Sequence, residues 1–207
     1  MNLVSTSTAG LLLAAGEGRR FGRPKALVRF GGEPLVSRAA RILADGGCDP
    51  VVVVLGARAE QARPLVPDGA LVVEAVGWEE GMGASLRAGL DALAGLAPAP
   101  DAALIHLVDL PGVGADVIAR LGACAAPDVV ARAAYGGVPG HPVLLGRRWW
   151  SAVAATAEGD RGARRWLAGR DDVRLVECGD IGAGTDVDTP ADLPDPPRPR
   201  PNHGRRS

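Results

Sequence analysis

Apolar runs alternate with helix-periodic stretches along most of this chain. Residues 10–14, 51–55, 70–75, 103–108, 128–132 and 173–178 are short, mostly apolar runs of the length and type of buried strands. Between them, residues 34–44 have helical spacing, with Pro34 in the opening turn and Gly46-Gly47 at the close. Residues 84–96 place Leu86, Leu90 and Leu93 on one helical face. Residues 115–124, 147–155 and 161–168 also read as helical, and 58–66 does so up to an interruption at Pro64. Strand, loop and helix in repetition predict an α/β fold with a doubly wound, mostly parallel (mixed) sheet. Ligands of such sheets bind beyond the carboxyl ends of the strands, so the residues that follow each strand are the place to look for chemistry.

Composition narrows the picture. Hydrophobic residues make up 47% of the 207 and aromatic ones only 3%, so the core must be aliphatic, and one domain over residues 1–193 is expected. Residues 194–207 are Pro-rich, without apolar periodicity, and are expected to be a disordered tail. That tail carries Arg198, Arg200, Arg205 and Arg206 against Asp195, a net of +3. With a formal charge of −1 overall, the body carries −1 − 3 = −4. An acidic body argues against general nucleic-acid binding, so any phosphate must be met by a local cluster. Cys48, Cys124 and Cys178 are far apart and form no CxxC pair, so they read as thiols of a reducing compartment. The apolar run 11–15 is too short to span a bilayer and no basic segment precedes it. No membrane association and a cytoplasmic location are expected. Of the 23 basic residues, Lys25 is the single lysine.

The first predicted strand runs into Ala15-Gly16-Glu17-Gly18-Arg19-Arg20-Phe21-Gly22-Arg23-Pro24-Lys25. Glycines let backbone N–H groups cradle an oxyanion, and Arg20 and Lys25 add full charges, which suits a triphosphate. The spacing is not that of a dinucleotide fingerprint, because the third glycine, Gly22, comes one residue late. Nor is it a P-loop, since Pro24 separates the glycines from Lys25 and no hydroxyl follows. After the fourth strand comes Asp109-Leu110-Pro111, an acid placed at the ligand edge. Near the C-terminus stands Asp186-Val187-Asp188-Thr189-Pro190. Two acids spaced by two on an extended segment point oppositely, so only one is expected to reach the site. The same segment also reads as a capped helix start. Magnesium on a nucleotide asks for one or two carboxylates, besides phosphate oxygens and water.

These motifs resemble the MobA-like NTP transferases. The opening Leu13-Ala14-Ala15-Gly16 through Lys25 matches that family's LAAGxGxRxGxxK-like loop, and the only lysine falls on the family's catalytic lysine. The resemblance implies a Rossmann-like nucleotidyltransferase fold and a nucleotide site built from Ala14, Ala15, Gly16, Gly18 and Lys25. Its catalytic residues would be Lys25, Arg20 and Asp109. It also implies Mg2+ on Asp109 and Asp188, with Asp186 in reserve. Within the family, Glu80-Gly81-Met82-Gly83-Ala84-Ser85 through Leu90 is similar to a segment of the molybdenum cofactor cytidylyltransferase branch. Small residues there would admit a base or ribose, which adds Gly83 and Ser85 to the nucleotide site, with Ser85 placed like a helix N-cap. Gly140-His141-Pro142-Val143 and Gly159-Asp160-Arg161-Gly162-Ala163-Arg164 match the same branch and imply His141, Arg161 and Arg164 on the acceptor. Taken alone, a His before Pro is more often structural. His106 reads as core, and Trp149, Trp150 and Trp166 as packing.

Pro24 before the lysine also favours this branch over the guanylyl one. The resemblance therefore implies CTP as donor, a molybdopterin-type acceptor and a recipient molybdoenzyme or chaperone. GTP, a sugar phosphate as acceptor, or a non-catalytic nucleotide-binding role are the alternatives. Gly18, Phe21, Leu110 and Ala191 depart from the branch's usual residues without removing a charge.

Overall fold

The structure, a computed structural model, describes residues 6–193; the Pro/Arg-rich tail lies outside the described residues. The strands are β1 (Thr8–Ala14), β2 (Arg29–Phe30), β3 (Glu33–Pro34), β4 (Val51–Leu55), β5 (Leu71–Glu74), β6 (Ala102–Leu107), β7 (Val130–Tyr135), β8 (Val138–Gly146) and β9 (Arg174–Glu177). The helices are α1 (Leu35–Asp45), α2 (Ala59–Ala62), α3 (Met82–Ala94), α4 (Ala115–Gly122), α5 (Trp150–Thr156) and α6 (Arg164–Ala168).

Seven strands form one sheet in the order β5-β4-β1-β6-β8-β7-β9. β5, β4, β1 and β6 pair in parallel, as do β7 and β9; β8 alone runs antiparallel, between β6 and β7. The two faces of the sheet follow from the period of two along each strand. Leu12 and Ala14 of β1, with Val51, Val53 and Leu55 of β4, pack beneath Leu35, Val36, Ile42 and Leu43 of α1 and Val117, Ile118 and Leu121 of α4. Leu11 and Leu13, with Val52 and Val54, meet Leu86, Leu90 and Leu93 of α3 and Trp150 and Val153 of α5 on the other side. Both layers are mostly aliphatic, with Phe21 and Phe30 in the first and Trp150 in the second.

Three local differences from the sequence reading affect the site. β8 is absent from the sequence reading, because Pro139 and Pro142 interrupt its apolar pattern and the segment lacks strand periodicity at its start. Its antiparallel course follows from the turn at Gly136-Gly137, both at positive φ, which folds the chain straight back from β7. The helix expected from residue 84 begins at Met82, with Gly81 as its N-cap. Ser85 is therefore inside the helix and caps nothing. The stretch 161–168 divides into a 3-10 turn, Gly159–Arg161, and the short α6, because Gly162 at φ +49° breaks the helical path between them.

Because β8 runs opposite to its neighbours, its beginning lies at the carboxyl edge of the parallel strands. Val143 pairs with Ile105 of β6 and with Arg132 of β7, which brings His141 and Arg132 to the same edge as the loops after β1 and β6.

Candidate active site

The loop after β1 is held open by its own backbone. Gly18 has φ +66°, and its carbonyl accepts hydrogen bonds from the N–H groups of Phe21 and Gly22 at 2.9 Å each. A Cβ on Gly18 would lie 2.0 Å from the Arg23 carbonyl oxygen, so glycine is required twice over, by conformation and by space. Gly16 has open space on the side where a Cβ would stand, which leaves room for a ligand to approach the chain. The loop is tied to β4 by the Ala57 N–H, which donates to the Ala15 carbonyl at 3.0 Å.

Beyond this loop, the 3-10 turn Lys25–Leu27 presents Lys25 to two carboxylates that are distant in the chain. Lys25 Nζ donates to Asp109 Oδ2 and to Asp188 Oδ1, both at 2.8 Å, and its side chain is 15% exposed. Arg20 Nη1 donates to the other oxygen of Asp188 at 2.5 Å. Burial works against the Lys25 charge, but the hydrogen bonds it donates to Asp109 and Asp188, with their negative charges, outweigh it and hold the ammonium pKa above its ordinary value. The Lys25 hydrogen bond, against a small burial cost, holds Asp188 below the ordinary carboxylate value. The strand-end backbone sets this meeting: the Val187 N–H donates to the Asp109 carbonyl at 2.9 Å, which lays the C-terminal segment along the end of β6. Thr189 and Asp192 then form a reciprocal capping box behind Asp188.

Two cavities open at this edge. The first, of about 410 Å3, is lined by the loop after β1, Lys25, Trp78, Ser85, Asp109 and Asp188. The second, of about 390 Å3, has a floor of Leu86, Ile105, Val143 and Leu167 and walls that include Arg132, His141, Asp160, Arg161, Arg164 and Asp186. They share Leu13, Met82, Leu107, Asp109 and Asp160. Two ligands bound in the two cavities would therefore meet at Asp109.

The structure thus brings Arg20, Lys25, Asp109, Asp188, Ala15, Gly16, Gly18 and Ser85 to one cavity and His141, Arg161 and Arg164 to its neighbour. Ala14 and Gly83 stand elsewhere. Ala14 is buried beneath α1 in the core. Gly83 is buried where a Cβ would lie 2.8 Å from the backbone of Ala157 and Glu158, so its smallness serves helix packing and not the approach of a base. Asp186 lies on the second cavity, across the buried Val187 from Asp188, as the alternation of an extended segment requires. Burial, then the Arg132 and Arg164 charges, push the His141 pKa down to about 4, with Asp186 pulling the other way. His106 is core, 1% exposed, and burial followed by the nearby His141 pushes its pKa down to about 3. Trp150 is buried and donates to the Leu145 carbonyl, and the Arg170 guanidinium lies over both the Trp149 and Trp166 rings.

Sequence reasoning missed Trp78, Asp160 and Arg132. Trp78 is seated by Gly56, where a Cβ would come within 2.6 Å of the indole, so the glycine after β4 was its signal. A charged residue inside the apolar run of β7 was the corresponding signal for Arg132.

Asp109 Oδ1 is buried and has no hydrogen-bond partner, a position that a carboxylate does not hold without a cation or donor. Among the described residues no cluster of three or more metal-ligating side chains exists, so a cation here would rest on Asp109 and Asp188 together with ligand oxygens. Magnesium on a nucleotide is usually bound in that way, and the donor set fits it.

Residues 10–175 match the MobA-like NTP transferase domain. The nicotine blue oxidoreductase of Paenarthrobacter nicotinovorans is 40% identical over 191 residues, covering 87% of this chain and 91% of that one. The molybdenum cofactor guanylyltransferase of Rhodobacter capsulatus is 38% identical over 154 residues, 70% of this chain and 66% of that one. Among solved structures, a Mycobacterium tuberculosis protein in complex with manganese superposes with a TM-score of 0.69 at 25% identity, over 88% of this chain and 94% of that one. With its glycine loop, its lysine between two carboxylates and its mixed sheet, the chain belongs to the MobA-like NTP transferase family.

Proposed function

We propose that this protein is a nucleotidyltransferase that moves a nucleoside monophosphate from a nucleoside triphosphate onto a phosphorylated acceptor, with release of pyrophosphate. The observation that carries the reading is Lys25, fixed beside a glycine loop between Asp188 and Asp109, the carboxylate shared by the two cavities. The first cavity takes the triphosphate on the loop and the second takes the acceptor against His141, Arg161 and Arg164.

The chemistry needs no general base. A phosphomonoester has its second pKa at about 6, so the attacking oxygen is ionised near neutral pH. That oxygen forms a bond to the α-phosphorus while the bond from the α-phosphorus to the bridging oxygen breaks, and pyrophosphate leaves with the electron pair. Lys25 and Arg20 turn from their carboxylates to the phosphates and offset the charge that grows on the leaving group. Asp109 and Asp188 would hold a divalent cation, magnesium in our reading, that supplies positive charge to the triphosphate. The rest of the catalysis is positional, from a loop and two strand ends held by backbone hydrogen bonds.

For the acceptor we take a molybdopterin-type phosphomonoester. For the donor, Pro24 and the branch-like segments suggest CTP, whereas the Rhodobacter capsulatus relative is a guanylyltransferase. We take GTP, because relatives named for the molybdenum cofactor are guanylyltransferases, the Rhodobacter capsulatus one being 38% identical over 70% of this chain, and CTP becomes the competitor in the test. The Paenarthrobacter relative supports a second reading, an oxidoreductase, since it is 40% identical and bears that name.

Calorimetric titration with each of the four NTPs and Mg2+, and separately with NADPH, separates these. Preference for GTP, with pyrophosphate released once molybdopterin is added, supports the proposal. Preference for CTP keeps the reaction and changes the donor. Binding of NADPH without any NTP overturns nucleotidyl transfer in favour of the oxidoreductase. A Lys25→Ala variant should stay folded and lose turnover by about a hundredfold or more. An unchanged rate would remove Lys25 from the chemistry and leave a nucleotide-binding accessory role.

A further inference from the structure

The second cavity carries more positive charge than the sequence reading assigned to it. Arg19, Arg20, Arg41, Arg63, Arg87, Arg120, Arg147 and Arg170 each have a carboxylate partner. Among the described residues ten other arginines have none, and three of these, Arg132, Arg161 and Arg164, line this one cavity. Arg161 and Arg164 stand on the surface segment after α5, whereas Arg132 rises from inside the sheet. It belongs to β7, opposite Val143 of β8, and is half-buried. Its Nε donates to the Gly140 carbonyl at 3.1 Å, which fixes the plane of the guanidinium. Its two terminal nitrogens make no hydrogen bond to the described protein.

An arginine in this state is costly unless something compensates it. Burial, then the Arg164 charge, depress the Arg132 pKa, so the protein itself does not stabilise this cation. Asp160 and Asp186 are in the same cavity wall but neither pairs with it. His141, kept neutral, adds no charge of either sign. Asp109, Asp160 and Asp186 match the three arginines of this cavity in number but leave the terminal nitrogens of Arg132 without an acceptor. A phosphate supplies several acceptor oxygens, and a planar guanidinium fork is the side chain best shaped to receive it.

We propose that Arg132, with Arg164, seats the phosphomonoester of the acceptor, while Leu86, Ile105, Val143 and Leu167 carry its flat apolar body. Arg132 is then a substrate-binding residue and sets the depth at which the phosphate reaches the junction at Asp109. Calling the ligand the acceptor rests on the nucleotidyl-transfer reading; the anion site itself does not.

The test uses inorganic phosphate as probe in a Lys25→Ala background, where the triphosphate loop is crippled. Phosphate is titrated by calorimetry into Lys25→Ala and into the same variant with Arg132→Gln added. The proposal expects the second to bind about tenfold more weakly or worse. Equal affinity, or no phosphate binding by Lys25→Ala, overturns it. The single variant Arg132→Gln must keep the wild-type affinity for the Mg-nucleotide, and a parallel loss there would also overturn the assignment. Thermal melting separates binding from a structural role. In phosphate-free buffer Arg132→Gln should melt no lower than wild type, because it removes a charge repelled by Arg164, and it should lose the rise in melting temperature that phosphate gives. A lower melting temperature with that rise intact would make Arg132 structural. If wild type binds no NTP while the phosphate result stands, the nucleotidyl-transfer reading fails and the anion site survives.

Discussion

At Gly18 one missing Cβ decides the shape of a loop. Its φ of +66° lies in the left-handed region, and the Arg23 carbonyl oxygen occupies the place a methyl group would need. Gly18→Ala should therefore cost about 1–3 kcal/mol in local strain and displace Lys25, two residues after that carbonyl. The expected outcome is weaker Mg-nucleotide binding by calorimetry, with only a modest fall in melting temperature. Lys25 makes a different demand. Its compact ammonium meets two carboxylates at 2.8 Å each, a geometry that a planar guanidinium does not reproduce. Lys25→Arg keeps the charge and should still lose about tenfold or more in kcat. Full activity in that variant would show that charge alone suffices.

At the scale of elements, the second cavity depends on how closely α3 lies against the segment after α5. Gly83 allows that approach, since a Cβ there would press on the Ala157 and Glu158 backbone. Gly83→Ala is favourable for helix propensity, yet it should destabilise the protein by about 1–3 kcal/mol, because overpacking against backbone has no soft neighbour to move. Urea unfolding checks this, and a gain in stability would mean that the segment 157–162 yields freely. The Arg87 guanidinium, which donates to the Ala157 carbonyl, fastens the same contact from the other side. β8 has the comparable role across the sheet. A parallel strand in its place would put His141 at the opposite edge, and the second cavity would lose part of its wall.

For the whole molecule, two buried histidines make stability depend on pH. His106 and His141 have folded pKa values of about 3 and about 4 against an ordinary value of 6.5. Below 6.5 the unfolded chain takes up protons that the folded one refuses, so stability is full above that value and is lost as pH falls toward 4. Between about pH 7 and pH 5 the loss should be on the order of 2–4 kcal/mol for the pair, read from urea midpoints. A flat profile over that range would mean that both histidines take up their protons in the native protein, and about half the loss that only one does. Among the described residues, no helix is long and apolar enough to cross a membrane.

The alternation of apolar runs determined the strands β1, β4, β5 and β6 and the long helices α1, α3 and α4, because a buried strand or an amphipathic helix declares itself through its own period. The glycine loop, Lys25 and Asp109 were legible for a related reason, since each follows a strand and such positions share one edge of a parallel sheet. The antiparallel β8 was not legible, because its prolines hide its period and its neighbours are chosen by the sheet. Which aspartate meets Lys25 was equally open. The spacing of Asp186 and Asp188 said only that one would face the site, and the hydrogen bond from Val187 to the Asp109 carbonyl turned Asp188 toward it. Gly83 and Arg132 mark the same boundary. A glycine tells nothing of what presses on it, and an arginine in a strand tells nothing of its partners. Both depend on chain segments far away in sequence, which only the packed fold brings into contact.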